Sequence, residues 1–159
     1  MSAKRIFLTS LITEVMAVLV MLLGTQSNLR AASQPGHTLE GSWIVTVNPE
    51  GIPPFENLST FTRDGSIVNT PETTSESVGH GTWVKTENHQ FASTFKSFLY
   101  DEMGQISGKG KVRAAVTLNK SSDEFSGPFI FEAFDLNGNV VFSVTGTVHA
   151  TRINVEPLP

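Results

Sequence analysis

Residues 105–119 read QISGKGKVRAAVTLN, and residues 139–153 read NVVFSVTGTVHATRI. In the first stretch Ile106, Gly108, Gly110, Val112, Ala114, Val116 and Leu118 alternate with Ser107, Lys109, Lys111, Arg113, Ala115, Thr117 and Asn119. In the second, Val140, Phe142, Val144, Gly146, Val148 and Ala150 alternate with Val141, Ser143, Thr145, Thr147, His149 and Thr151. A period of two sends successive side chains to opposite faces of a strand. One apolar face and one polar face per strand is the pattern of an antiparallel sheet with a single wet side.

The same alternation recurs along the chain and predicts strands at 41–48, 57–63, 66–70, 79–86, 90–100, 105–119, 124–135 and 139–153. The connections are short and polar. Asp64-Gly65 and Asn137-Gly138 bring the positive φ that tight hairpins need, and 87–89, 101–104 and 119–123 have hairpin length. No stretch after residue 34 carries sustained 3.6-residue periodicity, so no long helix is expected there. Eight strands joined by consecutive hairpins predict an all-β, up-and-down antiparallel β-barrel, in which closure removes the exposed edges. A two-sheet sandwich is the alternative.

Composition agrees. The 159 residues hold 13 Gly, 11 Phe and no cysteine, and charged residues make up 16%, against about 25% in a typical soluble domain. The lack of cysteine excludes a disulfide framework, a thiolate metal site and a cysteine nucleophile. A formal net charge of −4 argues against nucleic acid as a partner, because phosphate is bound by clustered Lys and Arg.

At the N-terminus Lys4 and Arg5 precede an apolar run densest at 15–23, and Ala31, Ala32 and Ser33 follow. A basic start, an apolar middle and a small-residue exit make residues 1–33 a signal peptide, with an uncleaved N-terminal anchor as the alternative. Glu14 interrupts the run, leaving it short of the roughly 20 apolar residues that span a bilayer. Removing 1–33 takes away three cations and one anion, so the net charge moves from −4 to −6. The expected layout is a leader at 34–40, a barrel at 41–155 and a tail at 156–159, secreted or periplasmic. An uncleaved N-terminus would be its one route to a membrane.

The first strand opens Gly41-Ser42-Trp43 and the last ends Thr151-Arg152-Ile153. This pairing resembles the lipocalin/calycin superfamily, whose arginine packs over the tryptophan and closes the bottom of the barrel. A guanidinium on an indole face gains about 0.5–2 kcal/mol. Gly81-Thr82-Trp83 repeats the motif, and the layout over 41–153 is similar to that of small secreted bacterial proteins of unassigned function. The resemblance implies a carrier of a small hydrophobic molecule. A shorter likeness, Leu99-Tyr100-Asp101-Glu102 with Gly104, Gly108 and Gly110, resembles allene-oxide-cyclase and dirigent-type barrels and implies a cyclase or isomerase.

Alternation places Trp43, Phe61, Trp83, Phe91, Phe95, Phe129, Phe131 and Phe142 as the ligand-facing set. At eight strands, side chains can instead fill the interior. If the protein is an enzyme, His80 (between two glycines), Glu132 (alone on an apolar strand) and Tyr100 (the only tyrosine) are the candidate acids and bases. His37, His80, His89 and His149 lack metal-ligand spacing, so no metal is predicted, and no cofactor motif is present.

Overall fold

The computed structural model describes residues 37–158. The predicted signal segment and the first residues of the leader lie outside the described residues. The strands are β1 (Gly41–Pro49), β2 (Phe55–Phe61), β3 (Ser66–Pro71), β4 (Gly79–Glu87), β5 (Gln90–Tyr100), β6 (Ile106–Leu118), β7 (Glu124–Phe134) and β8 (Val140–Arg152). They follow the expected segments to within two residues at each end. There is no helix among the described residues.

Every strand pairs antiparallel with its sequence neighbour, and β1 pairs with β8, so the sheet closes as β1-β2-β3-β4-β5-β6-β7-β8. The sandwich alternative is thereby excluded. At the closing seam Val45 faces Ala150 and Trp43 faces Arg152. The inward set in β6 is the predicted one: Gly108, Gly110, Val116 and Leu118 are buried, and Lys109, Arg113 and Thr117 are exposed.

Three hairpins use one loop design. In Thr62–Ser66, Asp101–Gln105 and Asp135–Asn139 the backbone N–H of the first residue donates to the carbonyl of the fifth, and its own carbonyl accepts from the glycine at the fourth. Only that glycine, Gly65, Gly104 or Gly138, has positive φ. These are three-residue loops with a glycine bulge, and Gly65 and Gly138 supply the positive φ expected of them. The side chains of Asp101 and Asp135 each accept two backbone N–H bonds across their loop, which fixes the loop's shape.

In an up-and-down barrel alternate loops lie at the same end. One end is closed by a fully buried Trp43, with Leu39, Phe91 and Leu118 packed about it. The indole N–H of Trp43 donates to the Leu39 carbonyl at 2.8 Å. The Arg152 guanidinium stands 4.1 Å from the Trp43 ring centroid. It donates to the carbonyls of Ser122 (2.7 Å), Thr38 (3.0 Å) and Glu40. One side chain therefore binds the leader, the β6–β7 turn and the indole. Gly41 is required beside it: its φ is +119°, and a Cβ there would lie 2.7 Å from Arg152 Nη1. The predicted stacking of Arg152 on Trp43 is present. Above it the His37 and His89 rings meet with centroids 3.9 Å apart, a contact between leader and β4–β5 turn that strand spacing cannot reveal.

Arg152→Ala leaves three carbonyls without their charged donor and bares one indole face. It should lower unfolding free energy by about 2–4 kcal/mol, and Arg152→Lys should recover only part, because an ammonium cannot reach three carbonyls from a planar fork. Urea denaturation of the three proteins measures this. Equal stability of wild type and Arg152→Ala would show that the clamp is ornamental.

Candidate functional site

The other end of the barrel opens into a cavity of about 220 Å³. Its walls are largely aliphatic and aromatic: Val45 and Val47 on β1, Phe61 on β2, Phe95 on β5, Phe129 and Phe131 on β7 and Val148 on β8 all reach it, with Ile52 and Phe55 toward the β1–β2 loop. One slanted row of the sheet carries small side chains. Pairing runs Ser59 to Asn69, Asn69 to Gly79, Ser97 to Gly110 and Gly110 to Ala133. All six residues are buried. Ser59 and Asn69 line the cavity, whereas Gly79 and Gly110 make room for the rings of Phe95 and Phe131.

Two polar stations sit in that row. Asn69 Nδ2 donates to Ser59 Oγ at 2.9 Å within the buried wall. On the far side of Gly79, the Ser97 hydroxyl donates to the Glu76 carboxyl. Glu76 comes from the β3–β4 loop, which folds back along the end of β5: Ser77 donates to the Phe98 carbonyl, Tyr100 donates to the Ser75 carbonyl, and Glu76 bridges to Leu99. That pairing turns the Glu76 side chain inward above Gly110. A Cβ on Gly110 would meet Ser97 Oγ at 2.7 Å, Phe131 Cε2 at 2.9 Å and Glu76 Oε1 at 3.4 Å. Hydroxyl, ring edge and carboxyl thus converge over one missing side chain.

Burial pushes the Glu76 carboxyl above its ordinary pKa of 4.5, and the hydrogen bond from Ser97 opposes the rise. It is the one titratable group lining the cavity among the described residues.

Of the eight aromatic residues expected to face a ligand, Phe61, Phe95, Phe129, Phe131 and Phe142 line the cavity. Phe142, 48% exposed, stands at its mouth. Trp43, Trp83 and Phe91 do not reach it. They belong to the closed end, where Trp83 packs 5.8 Å from Phe91 and its indole N–H donates to the Thr62 carbonyl. Face parity alone cannot tell floor from chamber, because height along the barrel depends on register.

The three candidate acids and bases are not brought together. His80 is exposed on the outer face. The glycines beside it serve strand packing, since a Cβ on Gly81 would lie 2.0 Å from the Thr94 carbonyl and one on Gly79 would lie 2.7 Å from the Phe95 ring. Glu132 also faces outward, 2.6 Å from Lys111 Nζ and 3.2 Å from Arg113. The hydrogen bond from Lys111, then the charges of Lys111 and Arg113, hold its carboxyl below the usual carboxylate range. Tyr100 ends β5 at a break in register, half-buried. Among the described residues no group of three or more His, Asp or Glu is placed to hold a metal ion. Glu76 escaped the sequence reading because it lies in a loop, Thr73-Thr74-Ser75-Glu76-Ser77, with no alternation to assign it a face.

No protein-family profile, curated protein or solved structure matches this chain.

A carboxyl whose pKa is raised on folding binds its proton more tightly in the native state. Its contribution to stability is complete below pH 4.5 and is lost as pH rises through the higher native value. Glu76→Gln keeps an acceptor for Ser97 and removes the charge. The variant should therefore be more stable than wild type at neutral pH, with a flatter stability profile above pH 4.5. Denaturant midpoints across that range decide it: parallel profiles would mean that Glu76 is solvated.

Proposed function

We propose that the protein is a calycin-like carrier that holds a small, largely apolar molecule in the open half of its barrel. The observation that supports this is the half-filled interior: side chains pack the closed end, and a chamber lined by aliphatic and aromatic side chains stays open above it. Natural cores are close-packed, and a void lined by aliphatic and aromatic groups forfeits contacts that a guest restores. A chamber of about 220 Å³ lies between the roughly 150 Å³ that accommodates benzene and the roughly 300–1,000 Å³ of pockets for drug-sized ligands. The guest is accordingly compact, a single ring or a short branched chain with one polar end. About ten non-hydrogen atoms at common ligand efficiencies give roughly 4–8 kcal/mol, or a Kd between about 1 mM and 1 μM.

The polar stations suit this role. Ser59 with Asn69, and Glu76 with Ser97, are few and convergent in an otherwise oily wall, which is how carriers orient a guest that hydrophobic contact alone would leave free to tumble. Carriage also fits the signal-like N-terminal sequence, and we propose that the barrel works outside the cytoplasm.

Filling the chamber tests the reading. Toluene and propylbenzene should raise the thermal midpoint of the wild-type protein in a dose-dependent way. Ala114→Phe, which places a phenyl ring in the cavity wall, should weaken propylbenzene binding at least tenfold while retaining the fold. His80→Ala and Glu132→Gln, both on the outer surface, should change that affinity by less than about twofold, as additivity predicts for sites without shared contacts. Absence of any midpoint shift with either hydrocarbon would refute the carrier.

A further inference from the structure

We infer that the guest of the lumen is a cationic amine, its ammonium seated on Glu76 and its apolar body among the phenyl rings. The inference rests on the carrier reading and adds the sign of the guest's charge. Three independent features carry it. First, Glu76 acts as an acceptor: the Ser97 O–H points into it. Its remaining lone pairs look into a cavity that no Lys, Arg or His side chain lines among the described residues. Elsewhere in the barrel carboxylates on the wall are neutralised by the chain itself, as Glu132 is by Lys111 and Arg113. Glu76 has no such partner, so a charge-assisted hydrogen bond is open for a guest to make.

Second, the loops around the mouth are of one sign. The β1–β2, β3–β4, β5–β6 and β7–β8 connections carry Glu50, Glu72, Glu76, Asp101, Glu102 and Asp135 and not one Lys, Arg or His. The cations among the described residues lie on strand exteriors or at the closed end. A ring of carboxylates over a low-dielectric chamber concentrates cations at the entrance and repels anions. Third, the Glu76 oxygen shares the space over Gly110 with the Ser97 hydroxyl and the edge of Phe131, with Phe142 packed beside Phe131 at 6.4 Å. A ring edge is the positive rim of the aromatic quadrupole, so it favours the ionised carboxylate, the form with which an ammonium pairs.

Charge also decides against the alternatives. A carboxylic acid entering this mouth would meet like charge in the loops and again at Glu76. A neutral hydrocarbon would leave the carboxylate desolvated without return. An arylalkyl or short alkyl amine satisfies wall, carboxylate and mouth together.

Three molecules of one shape separate these possibilities: 2-phenylethylamine, propylbenzene and 3-phenylpropionate, titrated by calorimetry into the full chain at neutral pH. The amine should bind at least tenfold more tightly than the acid. In Glu76→Gln the amine should lose about tenfold or more, the usual consequence of removing one partner of a charge-assisted bond, while propylbenzene stays within about threefold. Glu76→Asp, which keeps the charge on a shorter stem, should retain part of the preference and guards against a folding defect in the glutamine variant. If propylbenzene binds but the amine is indifferent to Glu76→Gln, or the acid binds best, the amine assignment is overturned and the carrier stands. If none of the three binds, the carrier reading fails and the amine assignment with it.

Discussion

The fold depends on one seam. Seven of the eight strand pairs are hairpins, held by the chain's own connectivity and by short loops. The eighth, β1 against β8, joins residues 97 to 109 positions apart, from Pro49 with Gly146 to Trp43 with Arg152, and must be secured by what lies across it. Arg152 does this from the last position of β8: it lies across the seam from Trp43, stacks on its indole and takes the carbonyls of Thr38, Glu40 and Ser122. Each bond runs from a cation to a backbone carbonyl at the half-buried end of the barrel. The bonds draw the leader across the barrel end, and the leader in turn buries Leu39 against the indole. Closure and capping are thus one event, and Gly41 is the concession that lets the guanidinium approach.

A sealed floor allows the opposite end to stay loose. Core packing is cooperative, so an eight-stranded barrel filled along its whole length would have no space for a guest. Here the aromatic residues are distributed unevenly. Trp43, Trp83, Phe61, Phe91 and Phe125 form a continuous edge-to-face cluster with centroid separations of 4.8–6.1 Å. Such contacts add stability beyond area burial. Above that cluster Ser59, Asn69, Ser93 and Ala114 stand among the larger side chains of the chamber wall. A half-buried carboxylate is then tolerated at a cost the floor can absorb.

The amino-acid sequence made the barrel legible for a simple physical reason. Alternation of period two survives in every long strand, the loop glycines sit where positive φ is needed, and the tryptophan and arginine occupy the first and last strands. What it left hidden is whatever depends on register. Parity assigns a side chain to the inner face but says nothing of its height, so Trp43, Trp83 and Phe91 could not be told from the phenyl rings of the chamber. Nor could the small-residue row be seen, since its six members are scattered over six strands. Glu76 was hidden more deeply: its orientation comes from a loop that borrows hydrogen bonds from the end of β5, a long-range pairing with no local signature.

The two ends of the lumen handle charge in opposite ways. At the floor the interior charge is a cation, and the chain supplies everything it needs: three carbonyls, an indole face and the nearby Asp123. Near the mouth the interior charge is an anion, and the chain supplies one hydroxyl. Burial, with no charged neighbour to offset it, is what lifts the Glu76 carboxyl above its ordinary value. A charge provided with a full set of partners is structural, since nothing further can bind to it. A charge left incompletely satisfied in a chamber with open space beside it costs the empty protein stability that a bound partner can return. That difference, more than the volume of the chamber, separates the end of this barrel that closes the fold from the end that stays open.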